Sequence, residues 1–247
     1  MYYNTIMDIK VFDRIEKKCL ITEKQKQRIS EVVKKHMQKD NYHKSEVFNI
    51  YFDTDNFDLI IQSIEQPVFK EKLRARSYKG YDKVFFEIKT KLCGEENNVG
   101  FKRRICVTKK DYRKILTKET TITNIIKKTA ERPRDIQIAK EVDYLIEHFD
   151  LKPKILVFYK RESYQGENKL RITFDEGLKY RTKNINFTKR KIDKSYFENE
   201  KNVIMEIKAH GVLPLWLSRE LSAEKIFPEQ FSKVGKIYQK IGKDINV

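Results

Sequence analysis

Lys70-Glu71-Lys72-Leu73-Arg74-Ala75-Arg76 is the stretch on which the reading of this chain turns. Side chains alternate along a strand, so Lys70, Lys72, Arg74 and Arg76 share one face while Leu73 and Ala75 share the other. Cations two residues apart on an extended backbone stand about 6–7 Å from one another. At that spacing they repel unless an anion lies among them. Two readings follow. Either the face lines a cavity that holds a polyanion, or it is a solvated basic edge, since lysine-rich edges deter aggregation.

The surrounding composition narrows the partner. The chain has 247 residues, 39% hydrophobic and 12% aromatic, which is lean but enough for a core. Only 8 Gly and 5 Pro occur and no stretch has linker composition, so a single domain is expected over residues 1–247. The formal net charge of +17 favours anionic partners: nucleic acid, phosphates or an acidic membrane surface. Cys19, Cys93 and Cys106 are an odd number without CxxC spacing, which argues against a disulfide framework or a zinc site and fits a reducing compartment. No secretory leader is evident and no apolar run approaches the roughly 20 residues that span a bilayer. The expectation is a soluble, cytoplasmic protein.

Hydrophobic alternation marks further strands at Phe12–Ile21, Val47–Asp53, Lys83–Lys89, Phe101–Ile105, Ile155–Arg161, Lys169–Asp175 and Val203–Lys208, with another one or two within residues 178–190. Gln165-Gly166-Glu167-Asn168 reads as a hairpin turn, and Gly94–Gly100 as a polar loop. Thr22 with Gln25 forms a capping box for a helix reaching Lys39. Thr108 caps a short helix over Lys109–Leu116, and Leu59–Ser63 makes a helical turn. Residues 119–133 are ambiguous and Pro133 closes them; a helix follows over Asp135–Phe149. Two helices end the chain, Leu213–Leu221 and Phe231–Ile241, the latter opened by Ser232. The expected fold class is α+β: an antiparallel, eight-stranded, tunnel-shaped β-barrel with flanking helices.

Nearly every strand carries charge on one face. The charged faces offer Arg14, Glu16, Lys18, Lys72, Arg74, Arg76, Glu87, Lys89, Lys102, Arg104, Arg161, Arg171, Glu206 and Lys208. A closed sheet has an inside and an outside. If helices cover the apolar outside, the charged faces point inward. An unpaired buried cation costs several kcal/mol, and so many cations against three acids do not balance internally. Such an interior calls for bound phosphate, which Arg meets bidentately and Lys as a point charge. Glu16, Glu87 and Glu206 then make sense as ligands for Mg²⁺ or Mn²⁺, both of which favour hard oxygen donors. The competing reading is an ordinary sandwich whose charged face is solvated. His36, His43, His148 and His210 have no ligand spacing, and there is no Walker A, GxGxxG or nucleophile-elbow motif.

Arg14-Ile15-Glu16-Lys17-Lys18, Tyr51-Phe52-Asp53-Thr54, Lys72-Leu73-Arg74-Ala75-Arg76, Glu87-Ile88-Lys89, Phe101-Lys102-Arg103-Arg104, Leu170-Arg171-Ile172-Thr173-Phe174-Asp175, Met205-Glu206-Ile207-Lys208 and Phe231-Ser232-Lys233 occur in this order. Together they resemble the catalytic domain of the vacuolar transporter chaperone (VTC) polyphosphate polymerases, within the triphosphate tunnel metalloenzymes. The resemblance covers about residues 8–240. It implies transfer of the γ-phosphate of ATP to a growing polyphosphate chain in a basic tunnel. It implies that Lys18, Arg74, Arg76, Lys89, Lys102, Arg161 and Arg171 are tunnel cations and that Glu206 binds the metal. Ser232 and Lys233 match the Ser-Lys pair near the reacting phosphate, with Lys233 catalytic. Lys72 and Lys208 join the phosphate-binding set from their place on the charged faces. Gln230 and Cys19 depart from the family pattern. In relatives that hydrolyse triphosphates an ExExK signature opens the first strand, whereas here Arg14 stands at the first Glu position. Loss of that carboxylate weakens a second metal site and favours transfer over hydrolysis.

The expected partners are ATP, inorganic phosphate or pyrophosphate as acceptor, polyphosphate as product, and Mn²⁺ or Mg²⁺. Nucleic acid is not expected, and any membrane-protein partner is not visible in the sequence. The alternatives are a tripolyphosphatase or nucleoside triphosphatase of the same fold, and a non-catalytic binder of polyanions or nucleic acid.

Overall fold

The computed structural model describes residues 14–65, 68–93, 98–187, 194–197 and 202–245. The start of the first expected strand at Phe12 and most of the polar loop, residues 94–97, lie outside them. In chain order the strands are β1 (Arg14–Ile21), β2 (Gln38–Asp53), β3 (Phe69–Tyr78), β4 (Lys83–Cys93), β5 (Asn98–Thr108), β6 (Lys152–Gln165), β7 (Arg171–Arg181), β8 (Lys194–Ser195) and β9 (Val203–His210). The helices are α1 (Glu23–His36), α2 (Asp58–Glu65), α3 (Lys109–Leu116), α4 (Ile122–Ile126), α5 (Pro133–His148), α6 (Leu215–Ala223) and α7 (Lys233–Ile245). Eight strands follow one another in the antiparallel order β1-β9-β7-β6-β2-β3-β4-β5, and the two-residue β8 pairs with β7. The antiparallel eight-stranded plan with flanking helices is thus observed. Among the described residues the pairings form an open path from β1 to β5 rather than a closed ring.

The chain divides into two compact units, with boundaries inside β2, β6 and β7. The described parts of the first are residues 14–43, 162–175 and 202–230. Its core joins Cys19 and Ile21 of β1, Ile29 and Val33 of α1, Ile172 and Phe174 of β7, Met205 and Ile207 of β9, and Leu217 of α6. Burial pushes the Cys19 thiol up to about 11, so this cysteine is an inert core residue.

The capping box forms as expected. Thr22 Oγ1 accepts the Gln25 N–H at 3.1 Å, and the Gln25 side chain accepts the Thr22 N–H at 2.9 Å. The helix ends at His36 rather than Lys39, because β2 starts at Gln38, well before the expected Val47. Residues 38–46 have no apolar alternation, so their strand character is invisible to periodicity. Contacts supply it: His43 Nδ1 lies 2.9 Å from the Ser163 carbonyl, and Ser163 Oγ donates to the Tyr42 carbonyl at 3.3 Å.

The second unit takes residues 44–161, 176–197 and 231–245 in its described parts. One face of β2–β5 packs Ile50, Leu73, Ala75, Phe86, Ile88 and Ile105 against α3, α4 and α5. This is the alternation read from the opening stretch: Leu73 and Ala75 are fully buried among apolar groups, and the lysines and arginines take the other face. The ambiguous segment contains α4. Thr121 Oγ1 caps it through the Asn124 N–H, and the Asp143 carboxylate accepts the Ile122 and Thr123 N–H groups at 3.0 and 2.7 Å. Pro133 begins α5 instead of closing what precedes it, since the first helical position needs no N–H donor. Asp53, wholly buried, accepts the N–H groups of Thr54, Leu59 and Ile60, each at 2.9 Å, and so anchors the start of α2. Burial raises its carboxyl above the usual range despite those three donors.

Candidate functional site

The charged face of the second unit is built from cross-strand rows. Lys70 stands opposite Lys91; Lys72 opposite Lys89, which in turn faces Lys102. The next row is Arg74, Glu87 and Arg104, and Arg76 follows opposite Phe85. Like charges directly opposite one another in a sheet are destabilising. Here two successive rows are cationic, and Glu87 is the sole acid among these positions.

Glu87 holds the rows together. It is 1% exposed. Arg74 reaches its Oε2 at 2.7 Å and Lys102 its Oε1 at 2.5 Å, with Arg76 at 3.7 Å and Arg104 at 3.9 Å. Burial alone would raise this carboxyl, but Arg74, Arg76 and Lys102 outweigh it and hold Glu87 down at about 2. Lys102 moves the other way for a lysine, to about 8, because burial and the nearby arginines outweigh its one bond to Glu87. The two directions agree physically: one carboxylate is shared by four cations, so the acid is over-stabilised and the amine under-stabilised.

The arginines are oriented by neutral groups on β2. Asn49, 1% exposed, accepts from Arg76 Nε at 2.8 Å, and Tyr51 OH accepts from Arg74 Nη1 at 3.3 Å. Burial would raise the Tyr51 phenol, yet the cations of Arg74, Lys72 and Arg76 bring it down to about 8. Each guanidinium keeps further N–H groups for an anion. At the start of α7, Ser232 Oγ accepts the Gly235 N–H at 3.3 Å and the Lys72 ammonium at 3.3 Å. Lys233 Nζ lies 4.9 Å from the Tyr159 ring centre, and the Arg161 guanidinium lies 5.3 Å from the same ring. The expected Arg74, Arg76, Lys102 and Glu87 therefore interlock. Lys72 links to Ser232, and Tyr159 joins Lys233 to Arg161. Lys89 takes its place in the lysine row, exposed.

The remaining expected residues, Glu16, Lys18, Arg171, Glu206 and Lys208, belong to the first unit. Glu16 faces Lys208 and Lys18 faces Glu206 across β1 and β9. Lys208 Nζ lies 2.6 Å from Glu206 and 3.6 Å from Glu16, while Lys18 Nζ is 3.4 Å from Glu16. Arg171 forms an ion pair with Asp40, Nη2 to Oδ2 at 3.0 Å. Arg14 pairs with His210 at the start of β1, and its side chain is outside what is described.

Among the described residues no three Asp, Glu, His or Cys side chains converge tightly enough to hold a metal by themselves. Glu16 and Glu206 do converge on one cationic atom, Lys208 Nζ. Two hard oxygen ligands of that kind fit Mg²⁺ or Mn²⁺ when phosphate oxygens and water complete the shell. Glu87 has a different setting, with cations against both oxygens, that of a counter-ion.

Tyr159 and Asp40 are site residues that sequence reasoning missed. Tyr159 ends the run Ile155-Leu156-Val157-Phe158, where both faces are apolar and alternation carries no signal. Asp40 lies in the part of β2 without periodicity.

Residues 13–240 match the VTC domain family model. Vacuolar transporter chaperone complex subunit 4 of Schizosaccharomyces pombe is 26% identical over 144 residues, which make up 53% of this chain and 20% of that protein. The match therefore spans about a fifth of the length of that relative. A protein from Pyrococcus horikoshii OT3 superposes with a TM-score of 0.50 at 15% identity, over 92% of this chain and 99% of that one. A putative adenylyl cyclase from Hippeastrum, described as having a dominant triphosphatase activity, superposes with a TM-score of 0.56 at 15% identity, over 92% and 96%. At such identities the likeness is one of fold, and the fold is that of the triphosphate tunnel proteins.

Proposed function

The chain belongs to the VTC-domain family, and from that premise we propose that it is a polyphosphate polymerase that uses ATP as phosphoryl donor. The carrying observation is the set of cationic rows on β3–β5, which hold a single carboxylate between them. A phosphate chain brings about one negative charge per phosphate, which is the complement those rows lack.

In the reaction, a terminal oxygen of the acceptor, inorganic phosphate, pyrophosphate or a chain end, forms a bond to the γ-phosphorus. The bond to the β–γ bridging oxygen breaks, and ADP leaves. Phosphoryl transfer relies on positioning and charge neutralisation more than on covalent help from the protein. In the second unit Lys72, Lys89, Lys102, Arg74, Arg76 and Arg161 hold phosphate oxygens; in the first unit Lys18, Arg171 and Lys208 are the phosphate-binding cations. Lys233, at the first turn of α7, neutralises charge on the group in transfer, and Ser232 orients Lys72. Glu16 and Glu206 would hold Mn²⁺ or Mg²⁺, which would neutralise phosphate oxygens when bound. Glu87 keeps Arg74 and Lys102 in place.

The second reading is hydrolysis of a triphosphate, favoured by the activity described for the Hippeastrum protein of like fold. The two readings differ in the fate of the γ-phosphate. With γ-labelled ATP and Mn²⁺, polymerisation puts the label into chains, and Lys233→Ala abolishes that product while leaving the protein folded. Label found in orthophosphate alone would favour the triphosphatase. No turnover, together with salt-sensitive RNA binding, would favour a non-catalytic polyanion binder.

A further inference from the structure

Four charged groups of alternating sign stand across β1 and β9. Glu16 and Lys18 alternate along one strand, and Lys208 and Glu206 face them in reverse order on the other. Two negative charges meet two positive ones, in contrast to the rows of the second unit. Lys208 Nζ stands between the two carboxylates, at 2.6 Å from Glu206 and 3.6 Å from Glu16. Glu206 is nearly buried, with 10% of its side chain exposed, so its charge is compensated locally rather than by solvent.

We propose that the Lys208 ammonium is a built-in stand-in for the divalent cation, so that metal and phosphate chain bind together or weakly. The idea rests on the reading of Glu16 and Glu206 as metal ligands. A divalent ion brought between them meets the ammonium already there, and the set becomes strongly positive. A phosphate chain removes that penalty, because it offers Lys208 and Lys18 anionic oxygens to turn towards. A lysine suits this exchange: it is a point charge on a flexible four-carbon stem and need not keep one geometry. Coupling of this kind is reciprocal, so the metal tightens the phosphate chain as much as the chain tightens the metal. It also discourages the protein from holding free metal that could direct water onto ATP.

The test is Mn²⁺ binding, read as loss of the free-ion electron paramagnetic resonance signal. The full chain is titrated with Mn²⁺ alone and again in the presence of inorganic tripolyphosphate, with protein-free tripolyphosphate as the blank. The wild type is expected to bind Mn²⁺ weakly alone. Lys208→Met is expected to bind it about tenfold more tightly, the effect of removing one competing charge, and to gain much less from tripolyphosphate. Lys208→Arg, which keeps the charge, should stay weak and shows that the effect is not one of misfolding. Lys208→Met binding Mn²⁺ no more tightly than the wild type overturns the proposal. A wild-type protein that fails to bind tripolyphosphate at all, judged by its thermal unfolding, instead overturns the polyphosphate reading on which the proposal rests.

Discussion

Replacing Glu87 with glutamine removes one negative charge and almost no volume. The magnitude can be worked from its environment. A carboxyl held at about 2 rather than its ordinary 4.5 has its charged form stabilised by about 3 kcal/mol in the fold. The sign follows from the direction. A depressed carboxyl contributes stability that is complete above its unfolded value and is lost as pH falls through the folded one. Glu87→Gln should therefore lower the unfolding free energy by about 3 kcal/mol at pH 7, in line with the roughly 3–5 kcal/mol for breaking a buried pair from one side. The deficit should shrink between pH 4.5 and pH 2, where the unfolded wild-type chain takes up a proton that folded Glu87 still resists. Denaturant titrations at pH 7, 4 and 3 measure this directly. Tripolyphosphate should restore more stability to the variant than to the wild type, since it returns negative charge to Arg74, Arg76, Lys102 and Arg104. A variant within about 0.5 kcal/mol of the wild type at pH 7, the size of an ordinary surface change, would refute the reasoning. So would a deficit that does not narrow in acid.

Other outcomes follow from individual contacts. Lys102 loses its proton near pH 8, so tripolyphosphate affinity should fall as pH rises through that value, and Lys102→Met should flatten the fall in a calorimetric pH series. Because this lysine is depressed from 10.5, the unliganded protein should gain stability from it between about pH 8 and 10.5. Asp53→Ala leaves three N–H groups at the start of α2 without their acceptor and should cost about 2–3 kcal/mol by denaturant titration. Thr22→Ala removes half of the α1 capping box and should cost about 1 kcal/mol in the same assay.

Where alternation is clean, the fold is legible in the sequence. The opening stretch sorted Leu73 and Ala75 from Lys72, Arg74 and Arg76, and the buried and charged faces of β3 follow that division. Cap chemistry was equally legible: Thr22, Thr108 and Ser232 each accept an N–H at the start of a helix. The early part of β2 is not, because residues 38–46 carry no apolar alternation and are held by contacts with distant residues, such as His43 with Ser163 and Asp40 with Arg171. The role of Pro133 was misread because a proline that cannot continue a helix is well suited to begin one. In the site, residue types pointed to phosphate, but the division of labour did not show. That Glu87 serves four cations, and that Lys208 joins Glu16 to Glu206, depends on which strands are neighbours. Strand order is carried by contacts between residues far apart in sequence, and composition and spacing do not record it.

The most direct test of the central claim, that the cationic rows exist to hold a chain of phosphates, is a crystal structure of the protein with inorganic tripolyphosphate and Mn²⁺. The account predicts phosphate oxygens against Lys72, Lys89, Arg74 and Arg76, with Glu87 still bonded to Arg74. Tripolyphosphate bound elsewhere on the surface, with those four side chains turned to water, would contradict it.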